Sequence, residues 1–156
     1  MSNMSNKTNK DERRFVEDVA RLLMPWGVPP IAARLYGHLL LCSSAVSLDQ
    51  ITADLGISKS SASVAARLLE SYTLVRRQSE PGTKRALYAV ADDYEAMIRQ
   101  QNRLLDALAE QLSTGAEIAG SKAVGARLEE MASFYRMMRG AMEDAMRRWK
   151  RGRLQR

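Results

Sequence analysis

The sequence predicts a mainly α-helical chain with one small β-hairpin, on three observations. Two short helical patterns, residues 47–56 and 58–70, follow one another with only Gly56 and Ile57 left to turn the chain. A cation-rich pair of strand-like runs around a Pro-Gly turn comes directly after them, at residues 74–90. Amphipathic helical segments occupy most of what lies on either side.

Taken in order, residues 1–10 are polar and read as a disordered tail. Residues 11–28 place Phe15, Val16, Val19, Leu22 and Leu23 on one stripe, and Pro25 and Gly27 end that helix, which is expected to contribute to dimerisation. Residues 29–42 open with two prolines suited to a first turn and supply Ile31, Leu35, Leu39 and Cys42 as a second stripe. In residues 47–56, Ser47 can cap a helix, Leu48, Ile51 and Leu55 repeat at i, i+3, i+7, and Gly56 suits a left-handed stop. Ser58 can cap the next helix.

With the turn set at Gly56 and Ile57, Ala62, Ala65, Leu68 and Leu69 face the preceding helix. Lys59, Ser60, Ser63, Val64 and Arg67 then fall within roughly 140° of arc at 100° per residue. Those side chains suit a major groove: a guanidinium to fork onto guanine, a methyl-bearing group for thymine, and hydroxyls for bases or phosphates. The hairpin carries Arg76, Arg77, Lys84 and Arg85 against Glu80 alone, as a ribbon lying along phosphates would. A helical pair with a solvated charged face and a charge-solubilised hairpin is the bland alternative. The succession of pair and basic hairpin instead predicts a winged helix-turn-helix over residues 29–91. Ser58, Lys59, Ser60, Ser63, Val64, Arg67, Arg76, Arg77, Lys84 and Arg85 are its candidate DNA contacts, and double-stranded DNA its partner.

The run GVPPIAARLYGHLLLCSSAVSLDQITADLGISKSSASVAARLLESYTLVRR, followed by GTKRALYAV, resembles the GbsR-like branch of the MarR-type transcriptional regulators. Its most specific parts are Arg34-Leu35-Tyr36-Gly37 and Leu55-Gly56-Ile57-Ser58-Lys59, and the likeness covers roughly residues 12–98. The resemblance implies a dimeric winged-helix repressor whose DNA affinity responds to a small molecule. Thr52 and Ala62 depart from it, standing where such motifs more often carry a small alanine and a β-branched residue.

Residues 92–152 read as a C-terminal helical dimerisation region. Its first helix, 92–113, carries Met97, Leu104, Leu105, Leu108 and Leu112, and the small-residue run TGAEIAGS separates it from a last helix near 122–149. That helix offers Leu128, Met131, Phe134, Tyr135, Met138, Met142, Ala145 and Trp149 at three-and-four spacing. A stripe this long exceeds what so small a domain needs to cover itself, so a second copy is expected around a twofold axis, giving a pseudo-palindromic operator. The end, RRWKRGRLQR, is six cations without an acid, either a phosphate-binding arm or a solubilising frayed terminus; residues 153–156 read as a basic tail.

The whole chain has 156 residues, a formal net charge of +6 and a sequence pI near 9.8, which fits a polyanion-binding protein. No apolar run approaches the roughly 18 residues of a membrane span, so a cytoplasmic protein without membrane association is expected. Enzymatic inventories are missing: no Gly-rich phosphate loop, no uniting set of Ser, His and Asp, one histidine, and no metal-ligand spacing or cofactor signature. Cys42 reads as core, with a redox-sensing thiol as the sharper alternative. Trp26, Tyr36, Tyr94, Phe134 and Tyr135 are either aromatics that meet in a cleft between reader and dimer helices to hold an apolar or quaternary-amine effector, or scattered core and interface residues. A ligand-responsive regulator is therefore weighed against an architectural DNA-binding protein with no effector.

Overall fold

Ser47 and Ser58 both cap helices, as their positions require. The Ser47 hydroxyl accepts from the Gln50 amide at 3.2 Å and the Ser58 hydroxyl from the Ser61 amide at 3.1 Å. Gly56 between them takes φ 64°, the left-handed conformation that an L side chain resists. The computed structural model describes residues 2–156, with side chains from residue 9 onward. Its elements are α1 (Ser2–Leu23), a 3-10 turn (Met24–Trp26), α2 (Pro30–Leu41), β1 (Val46–Ser47), α3 (Leu48–Leu55), α4 (Lys59–Ser71), β2 (Val75–Ser79), β3 (Ala86–Val90), α5 (Tyr94–Ile118) and α6 (Lys122–Leu154).

The three strands form one antiparallel sheet in the order β1-β3-β2. Val46 stands opposite Tyr88, and the β2–β3 hairpin runs in register from Val75 opposite Val90 to Ser79 opposite Ala86. Leu35 of α2, Ile51 of α3 and Leu69 of α4 are the largest fully enclosed side chains, and Ala32, Ala33, Ala62, Ala65 and Ala66 complete the core around them. These alanines let the helices approach closely, which seats α4 firmly while its opposite face stays free. At Gly37 a Cβ would stand 3.1 Å from the Val16 Cα, so α1 and α2 can pack this tightly only with glycine there.

The chain divides into two units, Met1–Asp92 and Asp93–Arg156. In the second, α5 and α6 run antiparallel. Asp93 and Ser121 cap them, accepting from the Ala96 and Val124 amides at 2.9 and 3.2 Å. Ala109 and Ala132 are fully enclosed between them, and Arg139 of α6 reaches Asp106 of α5 at 3.2 Å and Glu143 at 3.0 Å.

Several boundaries differ from the sequence expectation. α1 begins at Ser2 rather than near Asp11, because no proline or glycine interrupts it before Pro25, and it packs within the first unit against α2. Among the described side chains of α1, Val16, Val19, Ala20 and Leu23 turn inward; Phe15 and Leu22 of the expected stripe are exposed, Leu22 by 72%. α5 continues through Gly115 to Ile118, which shrinks the break to residues 119–121. α6 runs on to Leu154 and takes most of the basic terminus into the helix. β1 has no counterpart in the sequence expectation.

Candidate nucleic-acid interface

A groove of about 700 Å³ opens between α4, the first turn of α3 and the hairpin. The pitch of α4 sends Lys59, Ser63 and Arg67 to it, one helical turn apart. From the hairpin it receives Arg77, Lys84 and Arg85. Helix and hairpin thus present five cations to one concavity. The Arg67 Nε approaches only its own helix, at 3.5 Å from the Ser63 carbonyl oxygen, so the guanidinium fork remains available.

Two acids stand in the same groove, Asp49 and Glu70, and neither was singled out from the sequence. Asp49 takes Lys59 at 3.2 Å through one carboxylate oxygen and Arg85 at 3.4 Å through the other. Arg85 also donates to the Ser47 hydroxyl at 3.2 Å, so one N-cap and one first-turn acid together hold the hairpin's cation. An acid in a first helical turn is ordinary by itself, since the helix dipole favours it there; nothing local announces its second partner.

The remaining candidates are distributed differently. Val64, 62% exposed, and Ser60 lie on the other flank of α4, beside an apolar recess of about 470 Å³ bounded by Pro29, Pro30, Ile31 and Leu68. The exposed face of α4 is therefore charged along one edge and apolar along the other. Ser58 is engaged as the cap and bonds to the Ser61 hydroxyl at 2.9 Å. Arg76 is not brought to the groove. Side chains alternate along a strand, so it takes the opposite side from Arg77 and pairs with Asp92 at 3.4 Å.

The proposed effector aromatics do not form one cluster within either unit. In the first, Trp26 is 86% exposed in the 3-10 turn while Tyr36 is half-buried against the core. In the second, Tyr94 meets Trp149 edge-on at 5.9 Å and Phe134 meets Tyr135 at 5.4 Å. Trp149 and Tyr135 are about 20 Å apart along α6 at 1.5 Å per residue.

Cys42 Sγ lies 3.4 Å from the His38 carbonyl oxygen and 3.6 Å from His38 Nε2, which in turn meets Asp54 at 3.0 Å. Burial pushes the Cys42 thiol above its ordinary pKa, and the Asp54 charge adds to that. This opposes the thiolate that redox sensing requires. Among the described residues no group of three or more His, Cys, Asp or Glu is arranged to hold a metal ion, and no helix is long and apolar enough to cross a membrane.

Helix pair, sheet and hairpin make the first unit a winged helix-turn-helix within a predominantly helical chain, with the groove on the α4 face. Residues 92–152 match the family model of the MmpR5-like MarR family transcriptional regulators. That match covers the C-terminal helices rather than the winged domain, and it does not single out the GbsR-like branch. Among solved structures, one described as a transcriptional regulator is similar at 23% identity and a TM-score of 0.81, over 90% of this chain and 99% of its own. A MarR mutant from E. coli complexed with operator DNA has 15% identity and a TM-score of 0.41, over 67% of this chain and 72% of its own. A transcriptional regulator from Thermotoga maritima has 13% identity and a TM-score of 0.42, over 93% and 95%. None of the curated proteins compared matches the chain.

Proposed function

We propose that the chain is a MarR-type transcriptional regulator of the cytoplasm that binds a pseudo-palindromic operator as a homodimer, acts as a repressor and responds to a small molecule. The observation that carries the DNA-binding reading is the convergence of Lys59, Arg67, Arg77, Lys84 and Arg85, from α4 and the hairpin, on one groove. In this reading α4 enters the major groove, where Arg67 forks onto a guanine edge and Val64 meets a thymine methyl. Lys84 and Arg85 follow the adjacent phosphates. On binding, Lys59 and Arg85 exchange the Asp49 carboxylate for phosphate oxygens, a replacement of one anion by another at little desolvation cost.

Homodimerisation is supported by the apolar side chains that α6 leaves open, among them Phe134 at 51% and Met137 at 64% exposure. For the effector, the recess of about 320 Å³ beside Phe134 and Tyr135 is the place the second unit offers. The reading is tested by titrating Arg67→Ala against a selected operator and a random duplex. Loss of about 1 to 3 kcal/mol on the operator alone supports base contact by Arg67. Equal losses on both duplexes assign it to phosphate, and no loss on either removes α4 from the interface.

A further inference from the structure

The last ten residues, 147–156, hold six cations and no acid, while the whole chain has a net charge of +6. Residues 1–146 therefore balance, with 18 Lys and Arg left against 18 Asp and Glu. All of the long-range attraction for a polyanion that net charge supplies resides in this terminus. The structure continues α6 through it to Leu154, so all of these cations but Arg156 are carried on a helix.

The helix is held where the charge begins. Trp149 packs edge-on against Tyr94, and Lys150 Nζ reaches Glu95 at 2.6 Å, both at the start of α5. Arg147 pairs with Asp144. Arg148, Arg151, Arg153 and Arg156 are exposed and have no partner among the described residues. Arg148 with Arg151, and Lys150 with Arg153, stand three residues apart on the helix and repel. The helix dipole accounts for cations in the last turn, Arg151 and Arg153, but not for those preceding them. A helix end that keeps Arg148, Arg151 and Arg153 close together without a partnering acid among the described residues is a surface completed by an external anion.

We propose that this end of α6 is a second, sequence-independent DNA contact, gripping backbone phosphates outside the α4 groove. The inference rests on the DNA-binding reading above. The helix end has the dimensions for such a grip, since residues 147–154 extend about 10 Å at ~1.5 Å per residue. One strand of duplex presents a phosphate every ~3.4 Å of axis, so the surface spans about three of them. Phosphate recognition of this kind needs charge rather than bidentate geometry, so lysine should replace arginine without loss.

The test uses the full chain and a long random-sequence duplex, titrated between about 50 and 200 mM salt. Arg148→Gln with Arg151→Gln and Arg153→Gln should reduce the magnitude of the salt slope by about 2.7, at ~0.9 per phosphate, and weaken binding at least tenfold at the low-salt end. Glutamine is nearly as good a helix former as arginine, and circular dichroism checks that α6 persists. The three corresponding Arg→Lys changes should leave the slope unaltered. Lys84→Ala with Arg85→Ala reports on the groove separately. If that pair lowers the slope while the glutamine variant keeps the wild-type slope, the DNA reading stands and the α6 contact is refuted. If the wild-type chain shows no salt-dependent binding to duplex, both fall. A glutamine variant that binds duplex normally but loses phosphatidylserine vesicles would refute the proposal in favour of a membrane surface.

Discussion

Arg85 donates to the Asp49 carboxylate at 3.4 Å, joining the tip of the hairpin to the first turn of α3 across 36 residues of sequence. The same carboxylate holds Lys59 at 3.2 Å. Asp49 thus offsets the repulsion between two cations that the proposed function assigns to phosphates, and it competes with those phosphates for them. Asp49→Asn should increase affinity for random duplex about fivefold, the equivalent of ~1 kcal/mol from removing one anion beside the phosphates. Folding stability should change by less than about 1 kcal/mol, since the pairs are exposed. A fluorescence titration checks the first figure and urea unfolding the second. Weaker binding would show that Asp49 chiefly orients its partners.

On the hairpin, cations that are neighbours in sequence should separate in their effect on binding. Lys84→Ala with Arg85→Ala should reduce the magnitude of the salt slope by about 2, one phosphate each. Arg76→Ala should leave it unchanged, because the pleat turns Arg76 away from the groove and onto Asp92. Measured slopes for the two variants that are equal would contradict this division of the strand.

Thr52 of α3 encloses its hydroxyl without a hydrogen-bond partner among the described residues. This is one of the two positions at which the sequence departs from the regulators it resembles. Thr52→Val keeps the shape and removes the unmatched polar atom, and should stabilise the chain by about 1 kcal/mol in urea unfolding. Destabilisation would mean the hydroxyl is satisfied in solution, for instance by water.

The dimer proposal is best tested on residues that do not also hold α5 to α6. Met142, attractive from spacing alone, is half-buried, whereas Phe134 and Met137 are exposed. Phe134→Asp with Met137→Asp should leave each chain folded and convert dimers to monomers in sedimentation. Operator affinity should fall by about 100-fold or more as each half-site is then bound separately. An intact dimer would place the interface elsewhere.

What was legible in the sequence was short-range chemistry. Ser47, Gly56 and Ser58 mark their helix ends through atoms a few residues away, so the turn and the facing of α4 followed, as did Arg67, Lys84 and Arg85 on the groove. What was not legible depends on distant pairing. β1 is two residues long and exists because Val46 and Ser47 meet Tyr88 and Leu87, which no local pattern announces. The separation of Arg76 from Arg77 depends on strand parity relative to a sheet not yet built. On α6, Leu128 and Tyr135 turn inward while Met131 and Phe134 stay open, and one merged stripe concealed that division.

Sequence-specific duplex recognition through α4 and the hairpin is tested most directly by selecting binding sites from a pool of random duplexes with the 156-residue chain. The expected product is an enriched pseudo-palindrome whose half-sites lie about one helical turn, roughly 34–36 Å, apart. Arg67→Ala should erase enrichment at a matched base pair in each half-site while binding to the unselected pool persists. A pool that emerges without any preferred sequence, or one whose preference is untouched by Arg67→Ala, would contradict recognition by α4.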